Sequence, residues 1–155
     1  MHQDFFNALE KDHGTVRDIM KSLVGEEGAS EAQKKELFTA LKAELVPHMK
    51  GEETAFYPLL VGEKGTHELG LEALEEHHVA DLLLAELDGL GRSEDNWGAK
   101  MRVFREIVDH HIEEEEGPVF KAARKAIDAD QMEEVFTHFR KIREQVREKM
   151  TGRPL

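Results

Sequence analysis

Apolar residues recur along this chain at steps of three and four, and glycine-rich or capping segments interrupt the recurrence at a few points. Phe6, Leu9, Val16, Met20 and Leu23 fall on one such stripe, and Phe38, Leu41, Leu45, Phe56 and Leu59 on a second. Leu83, Leu87 and Leu90 mark a third, and Phe104, Val108, Val119 and Ala122 a fourth. This is the period of helices that each turn one face to a core. "VGEEGAS", residues 24–30, ends the first helix, and Ser30-x-x-Gln33 reads as a capping box for the second. "VGEKGT" closes the second near Leu60, with Thr66 as cap of the third. "LDGLGRSEDN" closes the third, and Ser93 or Asp95 starts the fourth. "AIDAD" separates the fourth from a fifth, where Asp130-x-x-Glu133 reads as another capping box. The pattern predicts helices near 2–24, 31–61, 67–89, 95–127 and 130–149. Short connections between long helices make antiparallel neighbours. The expected fold is all-α, an up-down-up-down four-helix bundle (about 2–127) with an additional C-terminal helix, in one domain over residues 1–155. Pro47 and Pro118 fall inside predicted helices and should bend them.

Polar residues stand on these stripes where leucines should be. His13 continues the first, His48 and Glu52 the second, and His111 and Glu115 the fourth, while His77 lies near one edge of the third. Two of the interruptions share a motif: "HMKGEETAFYP" at 48–58 returns as "HIEEEEGPVFK" at 111–121. A lone histidine on an apolar stripe is usually a hydrogen-bonded core residue. Two buried carboxylates without compensation, however, cost several kcal/mol each. Four histidines with two glutamates are best relieved by cations. His13 and His48 are 35 residues apart, and His77 and His111 are 34 apart. Helix, turn and return therefore bring all four to one height in the bundle. Within each motif the His and Glu lie four apart and face the same way from successive turns. Each glutamate can then bridge two metals. Two octahedral ions offer about twelve positions. Four histidines, two bridging glutamates and an oxo or hydroxo bridge leave about two open, as a site for a small exogenous molecule requires. Imidazole with carboxylate suits iron, manganese or zinc, and the sequence alone does not choose.

Register separates neighbouring candidates. Tyr57 and Phe120 each lie five residues beyond the proposed glutamate, which selects His111 with Glu115 over His110 with Glu114. The third stripe is broad, and His77 is preferred to His78. Glu53 and Glu116 follow the ligands in both motifs and suit either hydrogen-bonding support for a ligand or plain surface positions.

Charge narrows the partners. The net charge is −12, which opposes binding to nucleic acid or anionic membranes. Cysteine is absent, which removes disulfides, thiolate metal sites and thiol catalysis. No signal-peptide pattern and no bilayer-length apolar run are visible, so a cytoplasmic protein is expected.

With these motifs the sequence resembles the hemerythrin-like, HHE cation-binding family over about residues 5 to 127. The resemblance rests on "KDH" (His13), "HMKGEETAFYP" (His48, Glu52), "EEHHVADLL" (His77) and "HHIEEEEGPVF" (His111, Glu115). It implies a non-haem centre of two iron ions, bridged by two carboxylates and able to react with O2 or its relatives. The oxygen carriers of that family have a fifth histidine one turn after the third-helix ligand, where this chain has Asp81, with His78 adjacent to the ligand. Their last carboxylate is an Asp five residues after its histidine, where this chain has Glu115 at four. A ferritin-like bundle needs two Glu-x-x-His motifs, and only Glu75-x-x-His78 is found.

The expected function is a binding module for O2 or NO that senses, stores or buffers the ligand or iron, with a protein partner if it is a sensor. The alternative is a peroxidase- or oxidase-like di-iron enzyme acting on peroxide or O2. One Tyr (Tyr57) and one Trp (Trp97) leave little redox-active aromatic machinery for it.

Overall fold

The computed structural model describes residues 2–25, 30–91 and 94–152. All its regular structure is helical: α1 His2–Gly25, α2 Glu31–Ala55, α3 Tyr57–Gly62, α4 His67–Gly89, α5 Asp95–Glu114, a π-helical turn Glu115–Val119, α6 Phe120–Ala126 and α7 Ala129–Thr151. α1, α2, α4 and α5 form the four-helix bundle, in which α1 touches α2 and α5, and α4 touches α5 and α2. The C-terminal α7 lies on α2 and α1. Among the described residues no helix is long and apolar enough to cross a membrane.

The Ser30 box forms as expected: the Gln33 N–H donates to Ser30 Oγ at 3.0 Å, and the Ser30 N–H to Gln33 Oε1 at 2.8 Å. Three other boundaries differ from expectation. The predicted helix 31–61 breaks at Phe56, because Pro58 has no N–H for the Thr54 carbonyl and its ring crowds that turn. The predicted helix 95–127 widens into the π turn at 115–119, which contains Pro118. There the Phe120 N–H reaches the Glu115 carbonyl five residues back. The extra residue advances the register, so Ala123 is buried where Ala122 was expected. α7 is capped by Asp128 with Gln131, two residues before the expected box, and it buries Met132, Val135 and Phe139. Thr66 precedes α4 but donates its hydroxyl to the Leu60 carbonyl at 2.7 Å rather than capping. α5 is preceded by Glu94, and Ser93 lies outside the described residues.

Two hydrophobic cores stack along the bundle. One is rich in phenylalanine: Phe5, Phe6, Phe56, Phe120 and Phe139. The other is more aliphatic, with Met20, Leu41, Leu45, Leu84 and Leu87 around Phe38, Trp97 and Phe104. The helices pass between them at particular residues: α1 between Leu9 and Val16, α2 between Met49 and Ala55, α4 between Ala73 and Ala80, and the last bundle helix between Ile112 and Val119. Each of the six polar residues on the stripes falls in, or one residue outside, one of these gaps. The α4 face runs through Ala73, His77, Ala80, Leu84 and Leu87, so His77 is central to it and not at an edge.

Candidate metal centre

His13, His48, Glu52, His77 and Glu115 are buried in the gap between the cores, and His111 completes the ring with 11% of its side chain exposed. Each imidazole turns Nδ1 outward to a carboxylate. His13 meets Glu116 at 2.7 Å, His48 meets Asp12 at 2.9 Å, His77 meets Glu53 at 2.8 Å and His111 meets Glu76 at 2.7 Å. A carboxylate only accepts, so each Nδ1–H is the donor, and in a neutral ring each Nε2 presents a lone pair.

All four lone pairs point inward. His13 Nε2 lies 3.1 Å from Glu115 Oε1, and His48 Nε2 lies 3.1 Å from Glu52 Oε1. His77 Nε2 lies 3.3 Å from Glu52 Oε1 and 3.2 Å from His111 Nε2. His111 Nε2 is 3.6 Å from Glu115 Oε2. Lone pairs facing carboxylates and each other repel unless protons or cations lie between them. His13 Nε2, His48 Nε2, both Glu52 oxygens and Glu115 Oε1 are buried without a hydrogen-bond partner. Such atoms carry a full desolvation penalty and are what a metal ion relieves. The donors fall into two groups able to hold an ion, His13–His48–Glu52–Glu115 and Glu52–His77–His111, with Glu52 common to both.

Protons substitute where no cation is bound. Burial pulls His48 down, but the Glu52 and Asp12 carboxylates outweigh it and lift its pKa to about 10. Burial likewise opposes, and Glu52 and Glu53 overcome, in raising His77 to about 9. His13 is raised against burial by Glu115 and Glu116. Glu52 resists burial and stays well below the usual carboxylate range, chiefly through the neighbouring His48 charge.

Tyr57, like Asp12 and Glu76, is a residue of the site that the sequence pattern did not reveal. Its buried hydroxyl donates to Glu115 and lies 3.2 Å from His77 Nε2 and 3.3 Å from His111 Nε2. On an unbroken helix, five residues past Glu52 is a rotation of about 140°, away from the centre. The break at Phe56 turns it inward, and Pro58 was the available signal. Burial, then the charges of Glu115 and Glu52, push its pKa well above the usual phenol value.

The neighbours weighed in register lie outside. His78 and His110 are exposed, and Asp81 faces Lys50 Nζ at 3.6 Å. His67 Nδ1 donates to the Val61 carbonyl at 2.6 Å, and His138 is exposed. A small cavity of about 20 Å³ adjoins the four histidines on the aliphatic side, walled by Val16, Leu45, Ala80, Val108 and Ile112 among others.

Residues 4–123 match the family described as hemerythrin HHE cation binding domain. The chain belongs to that family, whose all-α bundle and His/Glu donor groups it carries. It is also similar to a protein of Nostoc sp. named DNA nickase, at 25% identity over 150 residues, or 94% of this chain and 41% of that protein. The chain thus spans about two-fifths of that relative's length. No solved structure matches it significantly.

Proposed function

We propose that this chain is a di-iron module that binds a small ligand, O2 or NO, or peroxide, and through it senses, stores or buffers that ligand or iron. The observation that carries the reading is the set of four imidazoles whose Nδ1 atoms are all engaged by carboxylates, leaving four Nε2 atoms and Glu52 and Glu115 turned on one another. His13, His48, Glu52 and Glu115 would hold one iron, and Glu52, His77 and His111 the other, with Tyr57 beside it. Manganese or zinc suits the same donors. When bound, the two irons supply one-electron chemistry to a diatomic ligand. The protein's own part is to fix the imidazole tautomers, shield the centre from water and admit only small molecules. The cavity beside the histidines has room for about one water-sized molecule, which fits a diatomic ligand.

One observation favours a second reading, a peroxide-consuming enzyme: Tyr57 places a phenol at the centre, in contact with His77, His111 and Glu115. DNA cleavage, named for the longer Nostoc relative, has no support in this chain, whose net charge of −12 opposes contact with phosphates. Elemental analysis of protein made in iron-replete medium, with optical spectra of oxidised and reduced forms with and without azide, tests the proposal. Two irons per chain and an azide-sensitive visible band are expected. One tightly held zinc with no iron would refute it, and rapid turnover of peroxide would favour the enzyme.

A further inference from the structure

α7 lies beyond residues 4–123, the part of the chain that matches the family, yet it reaches the donor set. It approaches α2 closely at Gly51, where an added Cβ would come within 2.7 Å of the Phe139 ring. Phe139 sets its ring at 83° to that of His48, with centroids 5.7 Å apart. One turn on, Arg143 Nη1 donates to both oxygens of Asp12, at 3.0 and 2.8 Å. Asp12 in turn accepts from His48 Nδ1–H. An unbroken chain of contacts therefore runs from the guanidinium through a buried carboxylate to one inward-facing imidazole. The carboxylate behind His77, Glu53, also meets a cation, but that cation is Lys50, on an open surface with 42% of its side chain exposed.

We propose that Arg143 is a positioning residue that acts through Asp12 to set how strongly His48 donates to the metal position it shares with His13, Glu52 and Glu115. The physics has a sign. A carboxylate that accepts Nδ1–H makes the imidazole a stronger donor at Nε2, and a stronger donor favours the more highly charged metal. A guanidinium on that carboxylate withdraws part of the effect. Arg143 and Asp12 therefore pull the potential of this iron in opposite directions. α7 becomes an adjustable part of the centre, since any displacement of the helix along α2 changes how much of Asp12's charge reaches His48.

This inference rests on the di-iron reading above. The test is a spectroelectrochemical titration of the iron-loaded full chain and its variants. Arg143→Gln should shift the midpoint of one of the two irons to more negative potential, and Asp12→Asn should shift it to more positive potential. Arg143→Lys should restore most of the wild-type value. Arg147→Gln, on the same helix but paired with Glu44 at 3.4 Å, should leave both midpoints unchanged. A merely structural role would move Arg143→Gln and Asp12→Asn the same way, and that result, or no shift in either, overturns the inference. If Arg143→Gln undocks α7, seen as a loss of helical circular dichroism, Arg143→Lys decides in its place: its single ammonium compensates Asp12 less completely than the two Nη1 contacts, so a small negative shift of the same midpoint is expected, and a positive shift or none overturns the inference. A wild-type protein without paired iron sinks the di-iron reading and this inference together; paired iron insensitive to these variants sinks only this one.

Discussion

The two donor groups share Glu52 and otherwise differ in almost everything around them. The group of His13, His48, Glu52 and Glu115 offers four protein donors, all buried, drawn from α1, α2 and the π turn. α7 covers it through Phe139 and Arg143. The group of Glu52, His77 and His111 offers three, and its fourth neighbour is the phenol of Tyr57. His111 is partly exposed, and beside it a polar cavity of about 140 Å³ is walled by Glu72, Glu76, His110 and Glu114. More donors and deeper burial retain an ion, whereas fewer donors and an open side let ligands and ions exchange. The same pair of motifs thus makes one donor group closed and another open to the adjoining cavity.

The largest effect should come from the residue both groups share. Glu52→Ala should abolish any coupled pair and reduce the metal bound by the two groups to one ion per chain or none, measured by elemental analysis. If Glu52→Ala kept full metal content and Glu53→Ala emptied the site, the assignment along α2 would be wrong. Next comes the metal-free protein. The folded pKa values of His48 and His77 lie near 10 and 9, above the ordinary 6.5. Their protonation therefore stabilises the fold fully below pH 6.5, and this contribution is lost as pH rises through about 9 and then 10. Thermal unfolding of the metal-free chain should show Tm falling over that window. Metal binding at pH 7 should release protons from both rings, and a flat Tm from pH 6.5 to 10 would break this account.

Smaller effects sharpen the contrast between the two groups. Glu76→Ala removes the acceptor behind His111, and losses of this kind typically weaken metal binding about 10- to 100-fold. The loss should fall on the metal held by His77 and His111 only, so in competition with a chelator its release should speed up while the release from the His13 and His48 position stays unchanged. The smallest is Gly51→Ala, whose methyl meets the Phe139 ring and should destabilise the fold by about 1–3 kcal/mol while leaving two metals bound. Chemical denaturation measures it, and a variant as stable as wild type would show that α7 yields easily.

Much of this was legible in the residues. The stripes of α1 and α2 placed His13, His48 and Glu52 among buried apolar residues, and the burial of the structure follows them through Leu23 and Phe56. The Ser30 cap was legible because its two bonds are local. The α4 face was misread because its inward residues are the small Ala73 and Ala80, while the larger Leu83 and Leu90 lie partly exposed. The π turn and the break at Phe56 escaped because a proline inside a helical pattern signals disturbance without stating its form. The carboxylates behind the histidines were only half visible. Glu53 and Glu116 stood next to the motif glutamates, but Asp12 and Glu76 reach their histidines across 36 and 35 residues of sequence, which no local pattern records. Tyr57 was hidden because its position depends on the break.

The small cavity beside the four histidines has a consequence for selectivity. Its walls carry aliphatic side chains and offer the arriving molecule almost nothing to bond to before it meets the centre. If a ligand reaches the centre by this side, discrimination there would be subtractive: a solute would be refused for its bulk or its hydration shell, not chosen for a matching group. An uncharged diatomic gas passes such a filter without shedding bound water, while an anion must be stripped first. Entry by this side would make uptake of neutral gases indifferent to ionic strength and leave anions to approach through the polar cavity at His111, where Glu72 and Glu114 repel them.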